Sequence, residues 1–325
     1  MKKVLIAIGS VLAAALIVVA GLFIRWNPSG DTEERYVSRV EANTHFENTM
    51  EEALPQTEIY DIITNHFNAP LPEGKTVKKA IVIGYDGCRS DVLNEIDGKD
   101  NGAINRLLKT GGKMYLSYCG GALYPAVNTQ DTSTAPGWCS MLTGVWADVH
   151  GITKNDVIKS NDHLTMLTTL VENGTIDSSA FCVSWKGHFS RDNATYLDEV
   201  QYTKDKELNV SFICSKNDAG TQQTVIDDLS KEDCSDFIFS ILEFCDHSGH
   251  QKGFYTDYGS YKKAFAKADS AAENILNTIE SRRTFNEEDW LIVLTSDHGG
   301  IKRAHGGASI QERFTHIVVN KDIDL

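Results

Sequence analysis

Short apolar runs recur along the chain from residue 80 onward and predict the strands of a buried sheet. Helical patterns, with apolar residues three and four positions apart, separate these runs at Ile104–Leu108, Leu164–Val171 and Tyr261–Ile279. The predicted strands are Ala80–Tyr85, Ala180–Trp185, Phe237–Leu242, Trp290–Thr295 and Thr315–Val319. Strands that alternate with helices predict an α/β fold with a mostly parallel central sheet and helices on both faces.

The first residues follow another pattern, an unbroken run without charge at Val4–Ile24 that comes after Lys2 and Lys3. A membrane-spanning helix needs about 20 apolar residues, so residues 1–26 are predicted to form a signal-anchor. Lysines that stay inside would place the rest of the chain outside the cytoplasm, held at the cell membrane. The alternative is a signal peptide cleaved near Ala20, which would make the protein secreted.

Between this predicted anchor and the first predicted strand, residues 27–75 are polar and acidic. A helix is predicted around Glu47–Phe67, and Pro70 and Pro72 then interrupt the pattern. We interpret this region as a helical stalk that packs onto the main domain. The remainder, residues 76–325, is predicted to be a single catalytic domain.

Composition limits the functions open to the chain. The formal net charge is -14, so the chain lacks the positive field that attracts nucleic-acid duplexes, and no such binding is expected. An acidic protein still binds anions where metal ions supply local positive charge. The seven cysteines are scattered without a CxxC pair, so neither a disulfide framework nor a zinc ribbon is predicted. Most of them are expected to be small buried side chains.

Three aspartates follow predicted strands. Asp86 comes directly after the first predicted strand, and Asp246 and Asp297 come shortly after two later ones. In parallel sheets, ligands bind beyond the carboxyl ends of the strands. A single aspartate at such a position is usually a turn or capping residue, but three of them indicate a binding site at this edge.

Histidines accompany two of these aspartates. The candidate ligands are Asp86, Asp246, His250, Asp297, His298 and His305. Mixed carboxylate and imidazole ligands suit zinc, whereas calcium and magnesium sites favour oxygen ligands alone. Because this set exceeds what one zinc ion uses, we predict two zinc ions per chain. The alternative is that the histidines only stabilise glycine-rich turns. This alternative explains a single histidine well but explains the whole set poorly.

A segment rich in hydroxyl groups, Thr132–Gly144, stands at a predicted helix start. Pro136 is tolerated in the first turn of a helix, and the free N–H groups there attract anions such as phosphate. A hydroxyl beside zinc loses its proton readily, so the segment is a candidate for the nucleophile of a hydrolase. An ordinary Ser/Thr helix cap is the alternative.

Taken in order, these residues resemble the alkaline phosphatase superfamily, and within it the nucleotide pyrophosphatase/phosphodiesterase family, also called type I phosphodiesterases. The resemblance extends from about Lys79 to Asn320. Asp86–Arg89 is similar to that family's Asp-Gly-x-Arg motif, and Thr134–Pro136 is similar to its Thr-x-Pro nucleophile motif. Asp246–His250 is similar to its Asp-x-x-x-His motif, and the later histidines complete the set.

The resemblance implies a phosphoester hydrolase of the phosphodiesterase or pyrophosphatase type, with a small and nucleotide-like phosphoester as substrate. It implies that Thr134 is the nucleophile and forms a phosphothreonine. It also implies that Asn155 and the backbone N–H after Thr134 stabilise charge on the transferring group. One zinc ion would be bound by Asp86, Thr134, Asp297 and His298, and the other by Asp246, His250 and His305.

The chain departs from the family pattern at several points. Gly137 and Trp138 stand where relatives carry an Asn-His or Asn-Tyr pair. The chain also stops soon after Val319, and the region between Asn155 and Asp246 is short. The wall of the substrate pocket and the identity of the substrate are therefore left open by the resemblance.

Other functions within the superfamily stay open. The main alternative is a phosphomonoesterase or a membrane phospho-group transferase. A sulfatase would need Cys or Ser at the nucleophile and Arg where Trp138 stands. A catalytically inactive binding relative would be expected to have lost ligands that this chain keeps. Monoesterases usually add a positive side chain; Lys186 and His188 are candidates, although solvated loop residues are the favoured interpretation of both.

Overall fold

The computed structural model describes residues 53–95, 102–121, 130–256 and 259–323. The predicted anchor and the first part of the predicted stalk, residues 1–52, lie outside the described residues. Within the described ranges, no helix is long and apolar enough to cross a bilayer.

The described residues form an α/β structure around one eight-stranded sheet. The strands are β1 (Leu54–Pro55), β2 (Val77–Tyr85), β3 (Lys113–Tyr118), β4 (Ser179–Val183), β5 (Val210–Cys214), β6 (Phe237–Leu242), β7 (Glu288–Thr295) and β8 (Phe314–Val319). The α-helices are α1 (Glu58–Asn68), α2 (Ala103–Lys109), α3 (Thr134–Thr143), α4 (Ala147–His150), α5 (Met166–Glu172), α6 (Leu197–Asp205), α7 (Asp218–Leu229), α8 (Phe244–Lys252), α9 (Gly259–Glu280) and α10 (Ile310–Arg313). Two 3-10 helices cover Ser90–Glu95 and Phe285–Glu287.

The sheet has the strand order β1-β3-β8-β7-β2-β6-β4-β5. Among the described strands, β8 alone runs against its neighbours, because it pairs antiparallel with both β3 and β7. The other pairs are parallel. The mostly parallel sheet expected from the sequence is therefore confirmed.

Successive residues of β2 face opposite sides of the sheet, and each side carries its own core. Ile81 and Ile83 pack in a cluster with residues of α2, α7 and α9. Ala80 and Val82 pack in a second cluster with residues of α1, α3 and α5. Because both faces are covered, the central strands are apolar without alternation, which is why they stand out as continuous runs in the sequence.

The described part of the predicted stalk joins the sheet and its core. Leu54 pairs with Ser117 of β3, and the buried face of α1 includes Ile59 and Ile63. The helix predicted around Glu47–Phe67 begins at Glu58 in the described residues, because β1 and a turn precede it. All cysteines of the chain are free thiols, and all but Cys214 are buried, as expected for small core side chains.

Candidate metal centre

The three central strands β7, β2 and β6 end side by side at one edge of the sheet. Asp86 directly follows β2, Asp297 follows β7, and Asp246 lies in the first turn of α8, just after β6. The N–H of Asp246 donates to the carbonyl oxygen of Asp86 at 3.0 Å. Gly87 has a φ of +67, and a Cβ there would lie 2.9 Å from the Cα of Asp246. Glycine therefore permits both the turn and the close crossing of the two segments.

Six side chains converge at this edge as two groups of three, with the ligand atoms of each group within 4.8 Å of one another. The first triad is Asp86, Asp297 and His298, and the second triad is Asp246, His250 and His305. Every histidine and aspartate that the sequence identified as a metal ligand thus belongs to one of the two triads.

The three histidines share one orientation. Each ring has its Nδ1 within hydrogen-bond distance of a backbone carbonyl, and because a carbonyl only accepts, Nδ1 carries the proton of the neutral ring. The Nε2 lone pair then remains for a ligand, which is how metal-binding histidines are usually held. The carbonyls are those of Gly299 for His298 (2.6 Å), Arg303 for His250 (3.1 Å) and Thr132 for His305 (2.9 Å).

In the second triad the ligand atoms point at one another. The Nε2 atoms of His250 and His305 lie 3.1 Å apart. The Oδ1 of Asp246 lies 3.4 Å from the former and 3.6 Å from the latter. Two imidazole lone pairs beside a carboxylate oxygen repel one another unless a positive charge lies among them, so this donor set fits a divalent cation.

The first triad is wholly buried. The Nε2 of His298 lies 3.3 Å from the Oδ2 of Asp297 and 3.6 Å from the Oδ1 of Asp86. Among the described residues, no hydrogen-bond partner reaches any of these three atoms. Buried polar atoms normally have a partner, so their common orphaned state also fits a bound cation.

The electrostatics of the triads agree with this interpretation. Burial, followed by the charges of neighbouring carboxylates, raises the pKa of Asp86 and Asp297 well above the usual value. Burial raises the pKa of Asp246 to about 7 and lowers the pKa of His305 to about 4. Burial also lowers the pKa of His298. A divalent cation would stabilise ionised carboxylates and neutral imidazoles together, which is the ligand state that zinc needs.

Thr134 begins α3, and Ser133 is the N-cap residue. The first turn of α3 lies against both triads. The Oγ of Ser133 lies 3.2 Å from the Nδ1 of His305 in the second triad. A Cβ at Gly137 would lie 2.9 Å from the Cβ of Asp297 in the first triad. The buried Thr134 therefore stands on a helix turn that contacts both groups of ligands, at the end of α3 where the helix dipole is positive and favours an anion.

Asn155 lies beside this turn. Its Oδ1 accepts a hydrogen bond from the backbone N–H of Ala135 at 2.9 Å. The two groups that the resemblance assigns to the transferring phosphoryl group, Asn155 and the N–H after Thr134, therefore contact each other. Because the N–H engages the carbonyl oxygen of the amide, the Nδ2 of Asn155 remains as the donor for a ligand.

Thr132 is a site residue that sequence reasoning did not single out within its hydroxyl-rich segment. Besides the carbonyl that binds His305, its side chain contacts the loop after that histidine. The Oγ1 accepts from the N–H of Gly306 at 2.9 Å and donates to the carbonyl of Gly307 at 3.1 Å. Thr132 thus holds the loop that carries one ligand of the second triad.

Two further buried residues at the site were also missed. Glu243 forms a third acidic group with Asp86 and Asp246. Burial, followed by the charges of these two aspartates, raises the pKa of Glu243. The indole N–H of Trp138 donates to the Oδ2 of Asp86 at 2.9 Å. The departure at Trp138 was visible in the sequence, but its contact across the sheet edge was not.

The two candidates for an added positive group belong to neither triad. Lys186 is exposed. His188 is fully buried, with its ring 5.3 Å from Phe181 and 5.0 Å from Trp185 between ring centroids. The interpretation of His188 as a solvated loop residue is therefore wrong, because the ring fills an aromatic cluster, and burial lowers its pKa to about 3.

The model of the type I phosphodiesterase/nucleotide pyrophosphatase family matches residues 80–305, a range that includes both triads. The chain is 24% identical over 242 residues to a bis(5'-adenosyl)-triphosphatase, enpp4, of Xenopus laevis. That match covers 70% of this chain and 48% of the relative, so the chain spans about half the relative's length.

Two solved structures also match the chain. Murine ectonucleotide pyrophosphatase/phosphodiesterase 5 matches at 17% identity with a TM-score of 0.46, over 68% of this chain and 57% of that chain. A 2-O GAG sulfatase matches at 9% identity with a TM-score of 0.51, over 76% of this chain and 65% of that chain.

Proposed function

Since this chain belongs to the type I phosphodiesterase/nucleotide pyrophosphatase family, we propose that it hydrolyses small-molecule phosphoesters of the phosphodiester or pyrophosphate type. The observation that carries the proposal is the shared orientation of the three histidines. Each donates a hydrogen bond from Nδ1 to a backbone carbonyl, which leaves Nε2 facing buried carboxylates. The helix turn of Thr134 lies against both triads, which supplies a nucleophile at the same point.

Two zinc ions are proposed, since each triad offers the mixed carboxylate and imidazole donors that zinc prefers. The first triad together with Thr134 would hold one ion, and the second triad would hold the other. When bound, the ions would supply positive charge that lowers the pKa of the Thr134 hydroxyl and balances charge on the phosphoryl group.

The reaction proposed for the chain's own residues has two displacements. The Oγ1 of Thr134 attacks phosphorus and the bond from phosphorus to the leaving oxygen breaks, forming a phosphothreonine that keeps the other substituent of the substrate's phosphate. The leaving group takes up a proton, and water then cleaves the phosphothreonine and restores the threonine hydroxyl. The Nδ2 of Asn155 donates a hydrogen bond to the transferring group, and the positive end of the α3 dipole stabilises its charge.

A nucleotide-like substrate is proposed from the relatives. One structure of murine ectonucleotide pyrophosphatase/phosphodiesterase 5 is a complex with AMP. The Xenopus laevis relative is a bis(5'-adenosyl)-triphosphatase by name. Both names describe nucleotide phosphoesters, and the positive end of the α3 dipole at Thr134 suits the phosphate part of such a molecule.

A comparison of rates tests this function. The full-length protein, with its zinc content measured on the same sample, is assayed with an aryl phosphodiester, a dinucleoside triphosphate, an aryl phosphomonoester and an aryl sulfate. We expect the diester and the dinucleoside triphosphate to be cleaved fastest. Faster cleavage of the monoester would change the assignment to a phosphomonoesterase. Full activity in protein that holds only calcium or magnesium would overturn the zinc assignment.

We also propose that the run Val4–Ile24 anchors the protein in the cell membrane, with the catalytic domain outside the cytoplasm. This proposal rests on the apolar run and the preceding lysines in the sequence. Protease added to intact cells should release the catalytic domain from the membrane fraction. A cytoplasmic, soluble pool of the full-length chain would contradict it.

A further inference from the structure

We propose that Trp138 is a positioning residue, which fixes Asp86 so that one carboxylate oxygen serves the first triad and the other does not. This inference rests on the proposed two-zinc function. Trp138 is the second residue of the Gly137-Trp138 pair, which departs from the family pattern directly after Pro136, and its indole reaches Asp86, the residue that directly follows β2.

The indole makes the two carboxylate oxygens of Asp86 different from each other. The Nε1–H donates to Oδ2 at 2.9 Å, and both side chains are fully buried. An indole nitrogen only donates, so it binds this oxygen as an acceptor and cannot exchange roles with it. The Oδ1 is left 3.6 Å from the Nε2 of His298, inside the first triad. A hydrogen bond to a buried carboxylate is among the stronger ones, so it holds the oxygens in this order.

The ring itself is held in place by the sheet beneath it. A Cβ at Gly84 of β2 would lie 2.2 Å from the Cη2 of Trp138, so the ring rests directly on the backbone two residues before Asp86. The ring also packs edge-on against Phe239 of β6, with centroids 5.7 Å apart at 84°. Because residues of both strands pack closely against the indole, it has little freedom to turn away from the carboxylate.

The same residue links the metal ligand to the nucleophile. Trp138 and Thr134 both lie in α3, four positions apart, so they share one face of the helix. Gly137, between them, brings the helix close to Asp297, since a Cβ there would lie 2.9 Å from the Cβ of that aspartate. The Gly137-Trp138 pair therefore acts as a unit, in which the glycine allows close approach and the tryptophan supplies the hydrogen bond.

The test is zinc affinity measured by competition with a chromophoric chelator on the full-length protein. Trp138→Phe removes the N–H and keeps most of the aromatic area. Loss of a partner that orients a metal ligand typically weakens binding about 10- to 100-fold. We therefore expect one of the two sites to weaken by that factor, while the other keeps the wild-type affinity.

Trp290→Phe is the matched control. Its indole N–H also donates to a buried carboxylate, the Oε2 of Glu288 at 2.7 Å, but at the opposite end of β7 from Asp297. We expect this variant to keep both zinc affinities, even though it loses the same kind of bond. An equal loss of zinc affinity in the two variants would show general loosening and would overturn the inference.

A second probe guards against misfolding. Incorporation of 3-benzothienylalanine at position 138 keeps the size of the ring and replaces the N–H by sulfur, so packing is retained. Wild-type zinc affinity at both sites in this protein would overturn the inference, and a 10-fold or greater loss at one site would support it. The readout is binding rather than turnover. A wild-type protein that binds two zinc ions but cleaves no phosphoester would refute the proposed function and leave the role of Trp138 testable.

Discussion

The second triad depends on a single hydroxyl that the substitution Thr132→Val removes at nearly constant side-chain size. The Oγ1 of Thr132 accepts from the N–H of Gly306 at 2.9 Å and donates to the carbonyl of Gly307 at 3.1 Å. Both bonds hold the loop directly after His305. Since Thr132 is only 1% exposed, solvent does not readily replace them. Valine therefore releases the loop without removing any proposed metal ligand.

The size of the effect follows from these two bonds. A neutral hydrogen bond contributes about 1 kcal/mol, so the loop loses about 2 kcal/mol of restraint. A factor of ten in an equilibrium corresponds to about 1.4 kcal/mol. The equilibrium constant for holding His305 at the triad should therefore fall about 30-fold, and the zinc affinity of the second triad should fall by at most that factor.

Chelator competition on the full-length protein measures this change for both sites. The control is Thr203→Val in α6, which removes a buried hydroxyl that donates to the carbonyl of Val200 at 3.0 Å. This control should keep both zinc affinities, because α6 carries none of the proposed ligands. Wild-type affinity at both sites in Thr132→Val would refute the reasoning, and so would an equal loss in the control.

Two further predictions concern the nucleophile and the stability of the fold. Thr134→Ala should lower turnover by several orders of magnitude while zinc is retained, and Thr134→Ser should keep partial activity because a hydroxyl remains; steady-state rates with zinc analysis check both. Arg282→Ala should lower the free energy of unfolding by about 3 kcal/mol in denaturant titrations, since Arg282 donates to buried Glu288 at 2.7 Å. The neighbouring Arg283→Ala should change it little, because that ion pair is exposed. The pKa of Glu288 is held below its usual value by hydrogen bonds, the largest from Arg282, against the opposing effect of burial. The stability that the ionised Glu288 contributes is therefore complete above about pH 4.3 and is lost as the pH falls. The difference in the free energy of unfolding between wild type and Arg282→Ala should accordingly narrow in acid.

The sequence predicts the centre of the sheet better than its edges. Phe237–Leu242 has the predicted bounds, because a strand covered on both faces is an uninterrupted apolar run. Three strands were missed, β1, β3 and β5. The strand β3 begins with two exposed side chains and is interrupted by Ser117, and β5 at the sheet edge is partly exposed along its length. Such strands contain no long uninterrupted run of buried apolar residues. Their formation therefore depends on pairing with neighbouring strands rather than on a local sequence pattern.

The proposed metal ligands could be found in the sequence because much of their spacing along the chain is local. Asp246 and His250 lie four positions apart in one helix turn, and Asp297 and His298 are adjacent. The residues that hold them were not predictable in this way. Thr132 lies 173 positions from the histidine it binds, and Trp138 lies 52 positions from Asp86. Contacts of this kind follow from the arrangement of the strands, which sequence periodicity does not specify.

The central claim is that Thr134 carries the phosphoryl group during turnover, and rapid acid quench tests it most directly. The full-length protein is mixed with a phosphodiester labelled at phosphorus, quenched within one turnover, digested and mapped. We expect the label on the peptide that contains Thr134, and we expect none in Thr134→Ala. Normal turnover with no label on that peptide would contradict the claim, because water would then be the direct nucleophile.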